Sequence, residues 1–264
     1  MTEVKLDGVL PQMVTPIPEF KENVVRNKAL GLRRIHELPE FRALRPIAVV
    51  GGGPSLVDHL DELRKFRVII AAGSVHDYLM EQGIIPTYCV VTDADSIMNN
   101  YMTKPSRDTT YLIASHCSPS TFDKLAAAGV HVVTFHCGGD PAFNDEYFGE
   151  GEFVMGGGCT VGSRAFMIAY TFGYLNIHLF GMDSCLQGEK HHSYESSDPE
   201  KEKLDNIVDI RIGDATFKVA GYMLAQLFDV KDFVQRVGNA VTLTVHGDGA
   251  LKALMATKKE KKDG

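Results

Sequence analysis

Four stretches of this 264-residue chain hold residue types that could do chemistry together. The first is Gly51-Gly52-Gly53-Pro54-Ser55, directly after the apolar run Ile47-Ala48-Val49-Val50. Glycines let a backbone approach a ligand closely and adopt positive φ. Pro54 suits a helix start, where its missing N–H is not needed, and Ser55 can cap that helix. The amides and the helix dipole then favour an anion, typically phosphate. The same residues also make an unliganded strand-to-helix turn, and both readings stay open. The pattern is neither GxGxxG nor a Walker sequence. The second stretch is Thr92-Asp93-Ala94-Asp95-Ser96. Two carboxylates two residues apart repel, and a cation or a set of donors relieves that. Such oxygens suit Mg²⁺ shared with substrate phosphates; a capped, solvated turn is the alternative. The third, Gly156-Gly157-Gly158-Cys159-Thr160, is a second glycine-rich approach to a helix, with Thr160 and Ser163 as hydroxyl donors. The fourth begins at Gly181-Met182-Asp183 and continues through Lys190, His191, His192 and Tyr194. His192 could serve as general acid or base near neutral pH. Adjacent His191 and His192 do not converge naturally on a metal. Gly73, Gly157, Gly158 and Asp183 join the first glycine loop as expected nucleotide contacts. His116, Lys190, His191 and Tyr194 are expected to face substrate, although His116-Cys117 and His136-Cys137 also read as structural pairs.

The elements that must position these residues alternate along the chain. Apolar runs at 47–50, 68–71, 88–91, 111–114, 130–135, 177–180 and 241–245 read as strands. Helices are expected at 19–38, 55–65, 75–82, 119–128, 160–172, 217–228 and 250–255, with Pro39 ending the first. Short apolar strands alternating with helices imply an α/β, Rossmann-like three-layer fold with a mostly parallel central sheet. In such sheets ligands bind beyond the carboxyl ends of the strands, at the point where strand order reverses. All four chemical stretches follow expected strands or open expected helices. The organisation expected is an N-terminal arm and helix over 1–44, one domain over 45–257 and a charged tail over 258–264. Within the domain, residues 184–214 are polar and irregular, with charge-rich Asp198 to Lys203, as in a lid or binding loop.

Composition narrows the function classes. A net charge of −7 leaves no basic excess for gripping nucleic acid. The five cysteines, Cys89, Cys117, Cys137, Cys159 and Cys185, form no CxxC pair, which points away from a zinc ribbon or disulfide framework and toward a reducing, cytoplasmic setting. The N-terminus shows no charged-then-apolar leader pattern. No apolar run approaches the roughly 20 residues of a membrane span.

The residues also resemble a known family. Val50 to Leu56, then Ile70-Ala71-Ala72-Gly73, then Leu79 to Asp95 look like the DUF115 family, also described as the 6-hydroxymethylpterin diphosphokinase MptE-like domain. Gly156 to Asp183, His192-Ser193-Tyr194 and Val245 to Gly249 extend the likeness, which covers roughly residues 45–250. The Gly83-Ile84-Ile85-Pro86 turn leading to Asp93, Asp95 and Ser96 is similar in layout to thiamin pyrophosphokinase. The resemblance implies transfer of diphosphate from ATP, with Mg²⁺, to a hydroxymethyl group on a pterin-like ring. It implies that Asp93 and Asp95 hold Mg²⁺ or substrate and that Gly51 to Ser55 cradle phosphates. Such chemistry is mostly positioning and charge neutralisation.

The same regions resemble bacterial sialyltransferases that use CMP-sialic acid, through Gly51 to Leu56, Thr160 to Tyr174 and Gly181-Met182-Asp183. Those enzymes place tyrosines after the Asp to hold the leaving phosphate. Here Cys185 and His191 stand there instead. Motility-associated glycosylation factors that carry this domain are longer, multi-domain chains. Three readings follow: an ATP-dependent diphosphokinase, a CMP-sugar glycosyltransferase, and a nucleotide-binding protein without chemistry. A fold alone does not choose among them.

Overall fold

All four residues of Ile47–Val50 are buried and form β1. A strand buried on both faces reads as a continuous apolar run, and this chain repeats that pattern. Strands β2 (Ile69–Ala72), β3 (Tyr88–Val91), β4 (Thr110–Ala114), β5 (His131–Cys137), β6 (Val154–Met155) and β7 (Asn176–Phe180) follow, with β8 (Val208–Ile212), β9 (Ala215–Val219) and β10 (Thr242–Val245). The computed structural model describes residues 16–38, 45–138, 141–195, 204 and 206–260. Eight strands form one sheet in the order β10-β7-β1-β2-β3-β4-β5-β6. Every pairing in it is parallel. Helices α1 (Ile17–Lys28), α2 (Leu60–Leu63), α3 (Val75–Glu81), α4 (Pro119–Ala127), α5 (Pro141–Tyr147), α6 (Val161–Thr171), α7 (Gly221–Val237) and α8 (Ala250–Glu260) complete the fold. The result is a three-layer, Rossmann-like α/β architecture.

Alternation along β1 splits the core between the two faces. Ala48 and Val50 pack with Leu56, Leu63, Val75 and Leu79 from the α2–α3 side. Ile47 and Val49 pack with Phe166, Ile168 and Met223 from the α6–α7 side. From β1 the chain steps outward through β2 to β6, then returns to lay β7 on the other flank of β1. The order therefore reverses between β1 and β7. Each strand is followed there by a glycine, Gly51 and Gly181.

Several boundaries differ from the sequence reading. The first helix ends at Lys28 rather than 38, and the chain turns at Gly31, where φ is +61°. Arg34 then bridges to Thr134 beside β5. The helix expected over 55–65 divides into a 3-10 turn, Pro54–His59, and the single turn α2. The polar stretch 184–214 and the expected helix at 217 share an antiparallel hairpin, β8–β9, turning at Gly213. Alternating β-branched and aromatic residues, Thr216, Phe217 and Val219, favour strand there. The following helix begins only at Gly221 and runs to Val237. Pairs α5 and β6 had no clear periodic signal. Residues 1–15, Pro39, Gly139, Asp140, Asp198 to Lys203 and 261–264 lie outside the described residues. Among the described residues no helix is long and apolar enough to cross a membrane.

Candidate functional site

The switch point between β1 and β7 holds a cavity of about 140 Å³. Its walls are Gly51 to Gly53 after β1, Ala72 and Ser74 after β2, and Gly181 to Cys185 after β7. Thr160, Val161 and Gly162 at the start of α6, His191 and His192, and Tyr222, Met223 and Gln226 of α7 close it.

The glycine loop is glycine-rich because β7 comes very close. A Cβ on Gly51 would lie 2.6 Å from Gly181 O, and one on Gly53 would lie 2.5 Å from Asp183 Oδ2. Gly51 N–H donates to Phe180 O at 2.8 Å and Gly53 N–H to Gly181 O at 2.7 Å. Ser55 N–H donates to Asp183 Oδ2 at 2.9 Å, and Ser55 Oγ donates to Asp183 Oδ1 at 2.5 Å. The anion at this helix start is thus the protein's own carboxylate. Gly52 N–H is the amide of the loop left without a protein acceptor among the described residues. Burial pushes the Asp183 carboxyl above its ordinary range, while the two Ser55 bonds and nearby His59 pull the other way.

The second glycine loop is arranged in the same manner. Thr160 caps α6 by accepting from Ser163 N–H at 3.1 Å. Asp229 of α7 accepts from Cys159 N–H at 2.6 Å and from Ser163 Oγ at 2.8 Å. Thr160 Oγ1 donates to Gln226 Oε1 at 2.8 Å, and Gln226 Nε2 donates to Ser184 Oγ at 2.9 Å. Ser184 itself sits at φ +54°, uncommon for a residue with a side chain, on the cavity wall. Asp229→Ala is expected to lower stability by about 0.5–1.5 kcal/mol, the net worth of an ordinary hydrogen bond, since the exposed Cys159 amide can turn to water and Ser163 Oγ keeps Thr160 O at 3.1 Å as an acceptor. A urea midpoint unchanged from the parent would show that the α6 start does not depend on that carboxylate.

A loop covers the site. Ser193 N–H donates to Gly52 O at 2.8 Å and Ser193 Oγ to Gly53 O at 2.5 Å. Tyr194 Oη and Ser74 Oγ are hydrogen-bonded at 2.5 Å, and the Tyr194 ring stacks on His192 with centroids 5.0 Å apart. A Cβ on Gly52 would lie 2.4 Å from Tyr194 Oη and 3.0 Å from His192 Nδ1.

The structure gathers Gly51, Gly52, Gly53, Thr160, Asp183, His191 and His192 around one space. Pro54 and Ser55 begin the 3-10 turn just behind it. Gly73, at φ +59°, lies between the lining residues Ala72 and Ser74. Gly157 and Gly158 precede the cap; a Cβ on Gly158 would meet Arg164 N at 2.7 Å, so that glycine answers to packing. Asp93 and Asp95 are exposed at the end of β3, two strands from β1, and do not line the cavity. Asp93 Oδ1 accepts from Asp95 N–H and Asp95 Oδ1 from Ile97 N–H, which spends one oxygen of each on a turn. His116 is buried, stacked on Phe20 of α1 with Nε2 2.8 Å from Thr92 O. Lys190 is exposed on the covering loop, its backbone paired with Gln187. Sequence reasoning missed Ser74, Ser184, Tyr222, Gln226 and Asp229. A faint signal existed for three of them: Tyr222, Gln226 and Asp229 follow i, i+4, i+7 spacing, one polar face of α7.

Comparison with known proteins bears on the family and the fold. Against curated proteins the sequence finds no match. Among solved structures, the MAf glycosyltransferase from Magnetospirillum magneticum AMB-1 superposes over 95% of this chain with a TM-score of 0.65 and 16% identity. This chain spans 42% of that protein. A mammalian sialyltransferase solved with Gal-beta-1-3GalNAc-ortho-nitrophenol overlaps 90% of this chain and 76% of its own, with a TM-score of 0.40 and 11% identity. Residues 19–189 match the family described as 6-hydroxymethylpterin diphosphokinase MptE-like. Family and first neighbour are both named for transferases. The family match runs from α1 past β7 and takes in both glycine loops, and on it the chain belongs to the 6-hydroxymethylpterin diphosphokinase MptE-like family.

Proposed function

We propose that this protein is a nucleotide-dependent transferase whose donor lies at the β1–β7 switch point. One observation supports this above the rest. The cavity there is lined by Gly52 and by Thr160 to Gly162, the first turn of α6. A backbone amide and the positive end of a helix dipole therefore face one space, the setting that attracts a phosphate.

In the finer reading the donor is ATP: the oxygen of a small hydroxymethyl acceptor bonds to the β-phosphorus, the α–β anhydride bond breaks, and AMP leaves as diphosphate is transferred. Asp93 and Asp95 fit Mg²⁺ in kind, because two carboxylates with phosphates and water make its usual oxygen shell. Mg²⁺ held there would neutralise charge on the phosphates. The remaining roles fall to the chain itself. Gly52 and the α6 start hold phosphate oxygens. His192, on the cavity wall, accepts the proton of the acceptor hydroxyl. Tyr194, fastened to Ser74, keeps the covering loop closed and excludes water. A second reading, glycosyl transfer from a CMP-linked sugar, is favoured by the position of Asp93 and Asp95 outside the cavity lining. It predicts CMP binding that survives EDTA.

Calorimetric titration with ATP and CMP, each with and without Mg²⁺, separates these. ATP is expected to bind with Mg²⁺, and Asp93→Asn to weaken it by about tenfold or more, which is about 1.4 kcal/mol. Equal affinity in that variant removes Asp93 from the site. Metal-independent preference for CMP replaces the donor, and no binding of either nucleotide removes the function. Gly52→Ala is expected to weaken the bound nucleotide by a similar factor, as its methyl displaces Tyr194 and His192. Because those are movable side chains, its melting temperature is expected to stay within a few degrees of the parent's, about 1 kcal/mol.

A further inference from the structure

At the far end of the 3-10 turn that follows the glycine loop, three side chains converge that the transferase reading does not use. They are His59 at the end of that turn, Glu62 in α2, and His246 just beyond β10. Among the described residues, their ligand atoms all lie within 4.8 Å of one another. His246 Nδ1 is 3.3 Å from Glu62 Oε2, and His59 Nδ1 is 3.9 Å from the same oxygen. A tetrahedral Zn²⁺ with bonds of about 2.0–2.2 Å holds its ligand atoms about 3.3–3.6 Å apart. One edge of that tetrahedron is in place, and a small side-chain rotation of His59 supplies the next.

The surroundings orient these groups as a metal site requires. The His246 ring lies flat on Phe180, with centroids 3.9 Å apart and planes 5° from parallel. Its Nε2 is 3.0 Å from His178 Nδ1, so the other nitrogen, Nδ1, is the one turned to Glu62. Metal-binding histidines commonly have their second nitrogen held in this way. His59 and Glu62 are three residues apart and so share a side of the turn. Two imidazoles and one carboxylate form a mixed nitrogen and oxygen set that suits Zn²⁺ or Co²⁺ better than Mg²⁺ or Ca²⁺. Glu62 and His59 keep 46% and 28% of their side-chain surface exposed, which leaves a fourth position open to water.

We propose that His59, Glu62 and His246 form a zinc site, with His178 positioning His246. The ion ties the edge strand β10 to the turn behind the glycine loop, joining residues 184 positions apart in sequence, as Glu62 and His246 are. The test uses the full chain, stripped of metal and titrated with Zn²⁺ against a colorimetric indicator, and with Co²⁺ in the visible range. One Zn²⁺ per chain is expected, with a rise in melting temperature. Glu62→Gln and His246→Gln are expected to lose both effects; Glu62 is exposed enough for that variant to fold, as circular dichroism would check. His178→Ala is expected to weaken binding by roughly tenfold or more. His131→Gln, on the exposed start of β5, is expected to bind as the parent does. Absence of Zn²⁺ binding overturns the proposal. So does binding that survives Glu62→Gln and His246→Gln, or a Co²⁺ complex with a near-ultraviolet thiolate band, which would put the ion on a cysteine. None of these outcomes depends on which nucleotide, if any, the cavity takes.

Discussion

Gly181→Ala is expected to destabilise the protein by about 3 kcal/mol, a larger effect than most single substitutions produce. Two costs add. Gly181 has φ +56°, where a side chain costs about 1–2 kcal/mol. Its added Cβ would also lie 2.4 Å from Gly51 O and 3.1 Å from Leu56 Cβ. Gly51 O is backbone and cannot rotate aside, so β1 and β7 must separate, at the cost of overpacking, about 1–3 kcal/mol. For a chain of this size the melting temperature should fall by about 6–12 °C. Gly83→Ala is the control. Gly83 has φ +69°, but nothing lies within 4 Å of its would-be Cβ, so it reports the backbone cost alone. Equal losses in the two variants would mean that the close approach of β1 and β7 is not what requires glycine.

Asp183→Ala is expected to lose about 2–4 kcal/mol, because Ser55 N–H and Oγ are then buried without an acceptor at about 1–3 kcal/mol each. Asp183→Asn is expected to stay within about 1 kcal/mol of the parent. Its amide oxygen can accept from Ser55 N–H, and its amide nitrogen can donate to a turned Ser55 hydroxyl. The two variants also differ in how stability depends on pH. Burial raises the Asp183 carboxyl above 3.8, so across that interval the folded state holds the proton more firmly than the unfolded chain. Stability from this group is therefore present in acid, falls as pH rises from 3.8 through the raised value, and is flat above it. Glu152 acts in the opposite sense, since its bond from Lys28 holds it below the usual range and its contribution is lost in acid. Subtracting the Asp183→Asn profile from the parent's isolates the first effect. Urea unfolding from about pH 4 to 7 should show the parent losing stability relative to Asp183→Asn as pH rises. A difference of opposite sign would mean that Asp183 is a net stabiliser as the anion.

Much of this architecture was legible because it is written in local pattern. Runs such as Ile47–Val50 and Tyr88–Val91 are apolar at every position, and only a strand covered on both faces explains that. The helix starts carry local signals, a proline in the first turn at Pro119 and a capping hydroxyl at Thr160. The 184–219 region was misread because its hairpin strands are short and half-exposed, with alternation too brief to separate from loop. The first helix was overextended because Val25, Ala29, Leu30, Leu32 and Ile35 continue a helical period past Gly31, whose positive φ decides the ending. The zinc candidates were invisible: His59, Glu62 and His246 have no motif spacing, and only folding brings them together.

By itself, then, the amino-acid sequence determined the layer type, the parallel sheet and the two glycine loops that open helices, since each rests on contacts between near neighbours. It did not determine what those loops hold. Asp183 occupies the first helix start from 128 residues away. At the second, Asp229, 66 residues beyond Ser163, takes the Cys159 amide and the Ser163 hydroxyl. Strand order is likewise a global choice, and it is what leaves Asp93 and Asp95 two strands from β1 and outside the cavity lining. The physical reason is the same in each case. Secondary structure answers to local side-chain spacing, whereas a buried amide or hydroxyl takes whichever acceptor the packed sheet carries to it.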